Sequence, residues 1–283
     1  MITIFDAIKF GENELKNYSD TSKLDAKVLL KDVLQKDELY IIINKDKKVK
    51  EEEFLSYIEK INLRKKHMPV AYIIGKKEFM GFEFKVTENT LIPRPDTEIL
   101  VLESIDLIKE NNYKKVLDLA TGSGAIGISI AKILADTKVT LSDVSEKALD
   151  VAKENARILG ANNIENFIHS DLFKSIKEKF DIIVSNPPYI DKNDMVELMP
   201  DVKNYEPTTA LFGGEDGLDF YRDIIRESRY FLKENGPLVL EIGYNQGSEV
   251  KNIMKKNGYK DIKIIQDLSQ KNRVVVGKYR PET

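Results

Sequence analysis

The stretch VLDLATGSGAIGISIA, residues 116–131, has the pattern of a buried strand, a glycine-rich turn and the start of a helix. Gly122 and Gly124 allow the backbone to turn tightly and to approach a ligand, because glycine has no side chain. Gly127 allows the helix to pack close to the sheet. The spacing is that of the G-x-G-x-x-G fingerprint, which is typical of dinucleotide-binding α/β proteins but is a weak signal on its own. A dinucleotide oxidoreductase is therefore the first hypothesis.

Strand and helix patterns alternate around this stretch, from residue 114 to residue 279. The predicted strands are 115–120, 138–142, 163–169, 180–185, 237–242, 261–266 and 272–278. The predicted helices are about 124–134, 145–159, 218–234 and 246–257, and Gly236 is the predicted stop of the third. Alternation of this kind is typical of a Rossmann-like α/β fold. We therefore predict a mostly parallel, seven-stranded sheet with helices on both faces.

The chain before this region has a different pattern, which predicts two further parts. Residues 1–70 have apolar positions at helical spacing and are predicted to form a small all-helical domain. Residues 71–93 place glycines between β-favouring residues, which indicates a β-hairpin linker. The remaining part, 94–283, would then form the α/β domain, with its first helix capped near Asp96 or Thr97.

Composition limits the classes to which this protein can belong. Its 283 residues are 42% hydrophobic and 32% charged, which is ordinary for a folded chain of two domains. The absence of cysteine excludes disulfides and thiolate ligands, and the two histidines, His67 and His169, are too few for a His-rich metal site, so we expect no metal. No apolar stretch suits a membrane span and no signal-peptide core is present, so we expect a cytoplasmic protein. A net charge of −3 lacks the basic excess of a dedicated nucleic-acid binder.

Three acidic residues at or near predicted strand ends indicate the ligand. Asp118 precedes the glycine turn, where a carboxylate suits a positive amino group such as the methionine end of S-adenosylmethionine. The alternative is that Asp118 caps amides of the loop. Asp143 ends the second strand, where an acid accepts hydrogen bonds from ribose hydroxyls, and this suits NAD and S-adenosylmethionine equally. Asp171 ends the third strand and would face an adenine amino group with Leu172 against the ring, although a capping role is equally open.

The fourth predicted strand ends in SNPPY, residues 185–189. Asn186 offers a side-chain carbonyl, and Pro188 restricts Pro187 to an extended conformation, so that the Pro187 carbonyl points in a fixed direction. Tyr189 adds a flat face. Two aimed acceptors and one stacking surface suit a planar NH2 group. We expect these residues to face the crevice of the glycine turn, because ligands bind at the carboxyl ends of such strands.

The chemistry expected at such a site depends mainly on positioning. An amide or aromatic amine is a poor nucleophile because its lone pair is delocalised, and holding both hydrogens helps to localise that pair. The sulfonium of S-adenosylmethionine is already an activated electrophile, so the main requirement is a separation of about 3–3.5 Å. The Asn-Pro-Pro-Tyr tetrapeptide resembles the marker of class I S-adenosylmethionine-dependent methyltransferases that modify amide or exocyclic nitrogens. The marker indicates the nucleophile class and leaves the macromolecule open.

A longer resemblance indicates the acceptor. MPVAYIIGKKEFMGFEFKV (68–86) followed by LIPRPDTEIL (91–100) resembles the hinge of the HemK-type release-factor glutamine methyltransferases, in which a helical domain precedes a hairpin and then the methyltransferase domain. The resemblance covers nearly the whole chain in the right order. It implies a class I methyltransferase fold and N5-methylation of the glutamine in the Gly-Gly-Gln loop of class I peptide chain release factors. We expect the helical domain to provide a second contact with that substrate.

The resemblance also implies the residues of the site. S-adenosylmethionine, which leaves as S-adenosylhomocysteine, is expected to bind to Ala120, Thr121, Gly122, Ser123, Gly124, Asp143, Asp171, Leu172 and Asn186. The substrate glutamine is expected to contact Asn186, Pro187, Pro188, Tyr189 and Arg94, and Asn186, Pro187 and Tyr189 are the predicted catalytic residues. Arg94 would form part of the pocket wall or, equally, a structural salt bridge. Two positions depart from the family, since Ala120 replaces a usual glycine and Leu172 a frequent tryptophan.

Three other classes of protein stay as alternatives. A nucleic-acid methyltransferase acting on adenine N6 or guanine N2 would share the tetrapeptide, but the mild acidity and the lack of a basic module argue against it. A cofactor-binding module without catalysis does not explain an intact Asn-Pro-Pro-Tyr. For an NAD oxidoreductase, NAD rather than S-adenosylmethionine should raise the melting temperature. We expect a monomer with a protein substrate and with neither a membrane nor a nucleic acid as partner.

Overall fold

A computed structural model describes residues 2–280, which divide into two compact units. The first unit holds the residues up to Lys76 together with Met199–Tyr205. The second holds Lys77–Leu198 and the residues from Glu206 onward. This division differs from the predicted boundaries, which placed a separate linker at residues 71–93.

Helices and strands occur in both units and are numbered in chain order. The helices are α1 (Ile4–Leu15), α2 (Ser22–Leu34), α3 (Glu38–Ile43), α4 (Glu51–Lys65), α5 (Val70–Ile74), α6 (Glu98–Asn111), α7 (Ala125–Ile133), α8 (Glu146–Leu159), α9 (Asp194–Glu197), α10 (Pro200–Tyr205), α11 (Asp219–Phe231) and α12 (Gly247–Lys256). The strands are β1 (Lys76–Phe79), β2 (Phe82–Lys85), β3 (Lys115–Leu119), β4 (Lys138–Asp143), β5 (Ile164–His169), β6 (Ile182–Ser185), β7 (Pro237–Glu241), β8 (Tyr259–Gln266) and β9 (Asn272–Tyr279). Short 3₁₀ turns occupy Pro95–Thr97 and Thr208–Ala210.

The first unit is helical, as predicted for the N-terminal region. Helix α1 starts at a capping box, in which the Thr3 hydroxyl accepts a hydrogen bond from the Asp6 amide at 3.1 Å. The core surrounds Tyr57, whose hydroxyl donates to the Ala26 carbonyl at 3.1 Å. Gly11 permits this packing, because a Cβ at that position would lie 1.9 Å from the Tyr57 hydroxyl oxygen.

A buried ion pair joins two helices of the first unit. Arg64 on α4 donates to Asp25 on α2 at 2.7 Å, and both side chains are only 9% exposed. Asp201 on α10 lies 3.8 Å from the same guanidinium. The Tyr205 hydroxyl donates to the Lys66 carbonyl at 2.7 Å. These contacts hold α10 in the first unit although it is distant in sequence.

The second unit is built on a seven-stranded sheet with the order β5-β4-β3-β6-β7-β9-β8. The first five strands are parallel, and β9 pairs antiparallel with both β7 and β8. Chain order changes direction on either side of β3, which places a topological switch point between β3 and β6. Ligands bind at the carboxyl ends of strands at such a point. The prediction of a mostly parallel, seven-stranded sheet is confirmed.

Apolar side chains cover both faces of the sheet, and this explains why its central strands are apolar along their length. On one face, α6, α7 and α8 pack on residues such as Val116 and Val184, and Phe79 and Phe84 of the β1–β2 hairpin join this core. On the other face, α11 and α12 enclose a second core around Tyr221. The hairpin therefore packs as a part of the second unit.

Two differences from the predicted elements stand out. The hairpin was predicted to begin at residue 71, but Val70–Ile74 form the helix α5, and the hairpin begins with β1 at Lys76. The second difference is at the end of α11. We expected a helix to residue 234, but α11 ends at Phe231, and Leu232 is extended with φ −87° and ψ 142°. Leu232 then bridges Phe180 in parallel, so strand pairing ends the helix early. Phe180 forms this isolated bridge outside the strand, and β6 begins two residues later than predicted. Among residues 2–280, no helix is long and apolar enough to cross a bilayer.

Candidate active site

A cavity of about 630 Å³ opens at the carboxyl ends of the parallel strands in the second unit. Its floor consists of the carboxyl ends of four adjacent strands and the segments that follow them. These are residues 119–123 at the end of β3, 143–145 at the end of β4, 170–172 after β5, and Asn186 with Pro188 after β6. The volume suits a ligand of nucleotide size.

The glycine turn has the geometry that its sequence predicts. Gly122 and Gly124 have φ values of +56° and +82°, in the left-handed region that favours glycine. A Cβ on Gly127 would lie 2.2 Å from the Leu141 side chain, which explains the close contact between α7 and the sheet. Ala120 also has a positive φ, +58°, without being glycine. The methyl group at this position therefore carries a backbone strain that a comparison of side-chain size does not show.

Asp118 is fully buried and faces its own loop, away from the cavity surface. Its Oδ2 accepts hydrogen bonds from the Thr121 hydroxyl at 2.5 Å and the Gly127 amide at 2.8 Å. Its Oδ1 has no partner among the described residues. Burial raises the pKa of this carboxyl to about 7. The geometry therefore does not favour Asp118 as a contact for a positive group of the ligand. It favours the alternative, in which Asp118 caps groups of its own loop.

Asp143 lies on the cavity surface and supports the glycine turn. Its two carboxylate oxygens accept from the Gly122 amide at 2.8 Å and from the Ser145 amide at 2.9 Å. Burial raises the pKa of this carboxyl, and the backbone hydrogen bonds oppose that rise. Ser145 caps α8 through the Ala148 amide, so Asp143 is not needed as the cap. Each carboxylate oxygen keeps a second lone pair that can accept a ligand hydroxyl.

Asp171 and Leu172 form the next part of the cavity rim. Asp171 is exposed and pairs with Lys174 at 2.5 Å. The Leu172 side chain is partly buried against the core that contains Tyr221, and its backbone has a φ of +47°. The Ser170 hydroxyl donates to the Leu172 carbonyl at 2.7 Å and holds this bend. The segment therefore presents an acid and an apolar side chain on one surface.

Hydrogen bonds fix the backbone at the end of the Asn-Pro-Pro-Tyr segment. The Gln246 side chain donates to the Tyr189 carbonyl at 2.9 Å, and the Gly213 amide donates to the Ile190 carbonyl at 2.9 Å. Asn186 and Pro188 line the cavity. Pro187 and Tyr189 do not, and the Tyr189 ring packs instead against the core that contains Tyr221. Burial, chiefly, raises the pKa of the Tyr189 hydroxyl.

Ten of the predicted site residues share this cavity surface, and three do not. Those on the surface are Arg94, Ala120, Thr121, Gly122, Ser123, Asp143, Asp171, Leu172, Asn186 and Pro188. Gly124, Pro187 and Tyr189 are the three that lie off it. Gly124 is the N-cap of α7, where its conformation rather than a ligand contact requires glycine. The ligand roles of all thirteen residues stay predictions.

Arg94 lines the cavity and also makes the salt bridge that was its alternative role. Its guanidinium pairs with Glu206, whose side chain is only 1% exposed. Glu206 also accepts from the Ile92 amide at 3.2 Å. The pair joins the segment before α6 to the chain that follows α10. The Arg94 side chain is 38% exposed, so one side of the guanidinium stays open to a ligand.

Sequence reasoning missed one wall of the cavity, formed by residues 207–214 with Asp219 and Phe220. This segment has no helical or strand periodicity, and its signal is a cluster of glycines. Gly213 lies against the tetrapeptide, because a Cβ there would stand 2.7 Å from the Tyr189 Cα. Gly214 packs as closely on Asp219. The glycine cluster thus marks close approach of backbone to the site.

Comparisons with known proteins show which family and which fold the chain resembles. The family model described as "Methyltransferase small domain" matches residues 97–200, and the "PrmC N-terminal domain" matches residues 6–75. The chain is 46% identical over 277 residues to the "Release factor glutamine methyltransferase" of Clostridium acetobutylicum, covering 96% of this chain and 97% of the relative. It is 44% identical to the protein of the same description from Clostridium botulinum, covering 95% and 97%. The crystal structure of a methyltransferase from Pyrococcus furiosus superposes with a TM-score of 0.51 at 18% identity, covering 71% of this chain and 90% of that one.

Proposed function

The chain belongs to the release factor glutamine methyltransferase family, and we propose that it methylates the side-chain amide nitrogen of the glutamine in the Gly-Gly-Gln motif of class I peptide chain release factors. The family resemblance predicted from the hinge segment is confirmed by relatives that match the chain over nearly their whole length. The observation that carries the proposal is the cavity at the sheet edge, which has the glycine turn, Asp143 and Asn186 on one surface.

The cavity fits S-adenosylmethionine as the methyl donor. Around Gly122 the space is open, since nothing lies within 4 Å of the position of a Cβ. Backbone can therefore lie directly against a ligand there. Asp143 has lone pairs for the ribose hydroxyls, and Leu172 offers an apolar surface with Asp171 for the adenine ring and its amino group. When bound, this donor supplies an activated methyl group and leaves as S-adenosylhomocysteine.

The acceptor amide is held by the Asn-Pro-Pro-Tyr segment. We assign the Asn186 side-chain carbonyl, which lies at the cavity, to one hydrogen of the glutamine NH2 group. We assign the Pro187 backbone carbonyl to the other hydrogen, although Pro187 is not among the residues that line the cavity. Both are acceptors only, so they orient an amide without removing a proton before the methyl group transfers. Gln246 and Gly213 fix the backbone of the segment, which keeps these acceptors in place. The contribution of the chain is thus orientation, which can lower the barrier by several kcal/mol, at most roughly 7–11.

The Gly-Gly-Gln motif suits this surface for a simple reason. A glutamine that enters the cavity would lie beside Pro188 and the wall at residues 207–214, and the residues before it would follow that surface. Two preceding glycines have no side chains and adopt unusual dihedral angles readily. The first unit is then proposed to contact another part of the release factor. Since termination of translation is a cytoplasmic process, we propose that the chain acts there, as a monomer.

Methyl transfer with purified components tests this function. Labelled S-adenosylmethionine and the chain should label a class I release factor, and a factor whose motif glutamine is replaced by alanine should stay unlabelled. S-adenosylmethionine, and not NAD, should raise the melting temperature of the chain. Total RNA, DNA and protein fractions serve as parallel acceptors. Label on nucleic acid with none on release factors would contradict the proposal and favour an exocyclic-amine methyltransferase.

A further inference from the structure

A buried acid lies directly behind the proposed acceptor site. Glu241 ends β7, next to β6, and is only 3% exposed. The polar groups of Thr97 and Asn186 lie beside its carboxyl group and lower its pKa. Its Oε2 has no partner among the described residues. An acid placed in this way is costly, because burial disfavours the charged form, and nothing in the sheet requires it.

One hydrogen bond fixes the relation of two of these side chains. The Asn186 amide nitrogen donates to the Thr97 hydroxyl oxygen at 3.2 Å. Both polar groups lie next to the Glu241 carboxyl. Because the Thr97 oxygen accepts from Asn186, its hydroxyl hydrogen can be directed to the carboxylate. Asn186 lines the cavity, where its Oδ1 can accept a hydrogen bond.

A carboxylate beside Asn186 favours one orientation of the Asn186 amide when Glu241 is ionised. A carboxylate only accepts, so it must face the NH2 side of the amide, and a flipped Asn186 would set its oxygen against another acceptor. A flipped amide would also present a donor to the substrate NH2 group, which itself donates. One orientation of Asn186 therefore serves both these contacts and the reaction.

We propose that Glu241 and Thr97 are positioning residues that fix the orientation of the Asn186 amide, so that its oxygen faces the acceptor glutamine. The inference rests on the proposed function, because it assigns the purpose of Asn186 in that reaction. Neither residue touches the reacting atoms through these contacts. Glu241 does not line the cavity, so its effect should appear in the rate of methyl transfer and not in the binding of either substrate. Thr97 does line the cavity, so its hydroxyl is tested separately.

The electrostatic surroundings of Glu241 give this orientation a pH dependence. Burial raises the pKa of Glu241 to about 7. The polar groups of Thr97 and Asn186 and the positive charge of Arg273 oppose this rise, whereas the negative charge of Asp96 adds to it. Arg273 is itself shared with Asp96 at 2.9 Å and Asp267 at 2.9 Å. Tyr189 and Tyr221 are the other titratable groups near the carboxyl. Protonation adds a donor to Glu241 and breaks the donor pattern, so kcat should fall as the pH drops through about 7.

The test compares Glu241→Gln with the wild-type chain, using a release factor as acceptor. Glutamine keeps the shape but replaces one acceptor by a donor. We expect kcat to fall about 10- to 100-fold, the scale of a misplaced reactive group, while KM for the release factor and the affinity for S-adenosylmethionine stay near wild type. The fall of kcat below a pH of about 7 should disappear in the variant. Glu234→Gln, an exposed change after α11, is the matched control.

Thr97 provides a second, independent perturbation. Thr97→Val removes the hydroxyl at nearly constant volume and should lower kcat as Glu241→Gln does, whereas Thr97→Ser should restore most of it. Circular dichroism and cofactor calorimetry show whether each variant is folded. A wild-type kcat in folded Glu241→Gln or Thr97→Val, with Asn186→Ala inactive, would overturn the positioning role and leave the proposed function intact. Absence of release-factor labelling by the wild-type chain would refute the function itself.

Discussion

The left-handed conformation of Ala120 gives a prediction in which the sign can be worked out from the backbone. Its φ of +58° costs an L-residue about 1–2 kcal/mol relative to the right-handed region. Glycine removes that strain but brings a backbone entropy cost of about 0.5–1 kcal/mol. Ala120→Gly should therefore increase the free energy of unfolding by about 0.5–1 kcal/mol, although it deletes a methyl group from a cavity wall.

The reverse change in the same loop is the matched control. Gly122 has a similar φ of +56° and nothing within 4 Å of a Cβ, so Gly122→Ala reports the conformational cost with no steric clash. By the same balance of strain and backbone entropy, it should destabilise the chain by about 0.5–1 kcal/mol. Urea unfolding followed by circular dichroism measures the free energy of unfolding of both variants. The relevant unfolding transition is the one whose midpoint S-adenosylmethionine shifts. A less stable Ala120→Gly, or a neutral Gly122→Ala, would refute the argument from backbone strain.

Three further changes test the site and the substrate contact. Asp143→Ala should weaken the binding of S-adenosylmethionine by about 1.5–3 kcal/mol, as measured by calorimetry. Asp143→Asn should lose less binding free energy, because one acceptor oxygen is kept. Unchanged affinity in both variants would contradict the assignment of Asp143 to the ribose. Asn186→Ala should lower kcat far more than it lowers cofactor affinity, and near wild-type transfer would contradict the geometry proposed for the acceptor. Ile43→Asp, on an exposed apolar part of α3 where Ile43 is 69% exposed, should raise KM for the intact release factor and leave cofactor affinity unchanged. Leu102→Asp, at a side chain 53% exposed in the second unit, is its control, and equal effects of the two would argue against a specific contact.

The fold and the location of the site were predictable because they follow from periodicity and from the rules of parallel sheets. Apolar runs indicate the seven strands to within about two residues, and the carboxyl ends of adjacent parallel strands must share an edge. Gly122, Asp143 and Asn186 therefore meet as expected from three separate segments. The end of α11 was missed because a bridge between Phe180 and Leu232, a tertiary contact, overrides the local signal at Gly236.

The walls and supports of the site were not predictable in the same way. Residues 207–214 have no period that would indicate a structure, and their role depends on contacts with the distant tetrapeptide. The direction of the Tyr189 ring depends on which hydrophobic core the ring joins, and the local sequence pattern does not show which core that is. Ala120 could be compared with glycine by size, but its φ became known only with the backbone.

Asp118 and Glu241 are two buried acids of the second unit, and an acid in an apolar strand does not by itself show which role it has. Asp118 and Glu241 each stand in an apolar strand next to the site, each is buried, and the pKa of each is raised to about 7. Their sequence contexts, VLDLA and LVLEIG, do not distinguish them. Their surroundings do. Asp118 accepts hydrogen bonds from groups of its own strand–turn–helix segment. Glu241 lies beside the side chain of Asn186, which follows a different strand. An acid that supports its own loop acts on the stability of that loop. An acid that orients a side chain of the site acts on the reaction, so Glu241→Gln should change turnover with a pH dependence that a change at Asp118 would not reproduce.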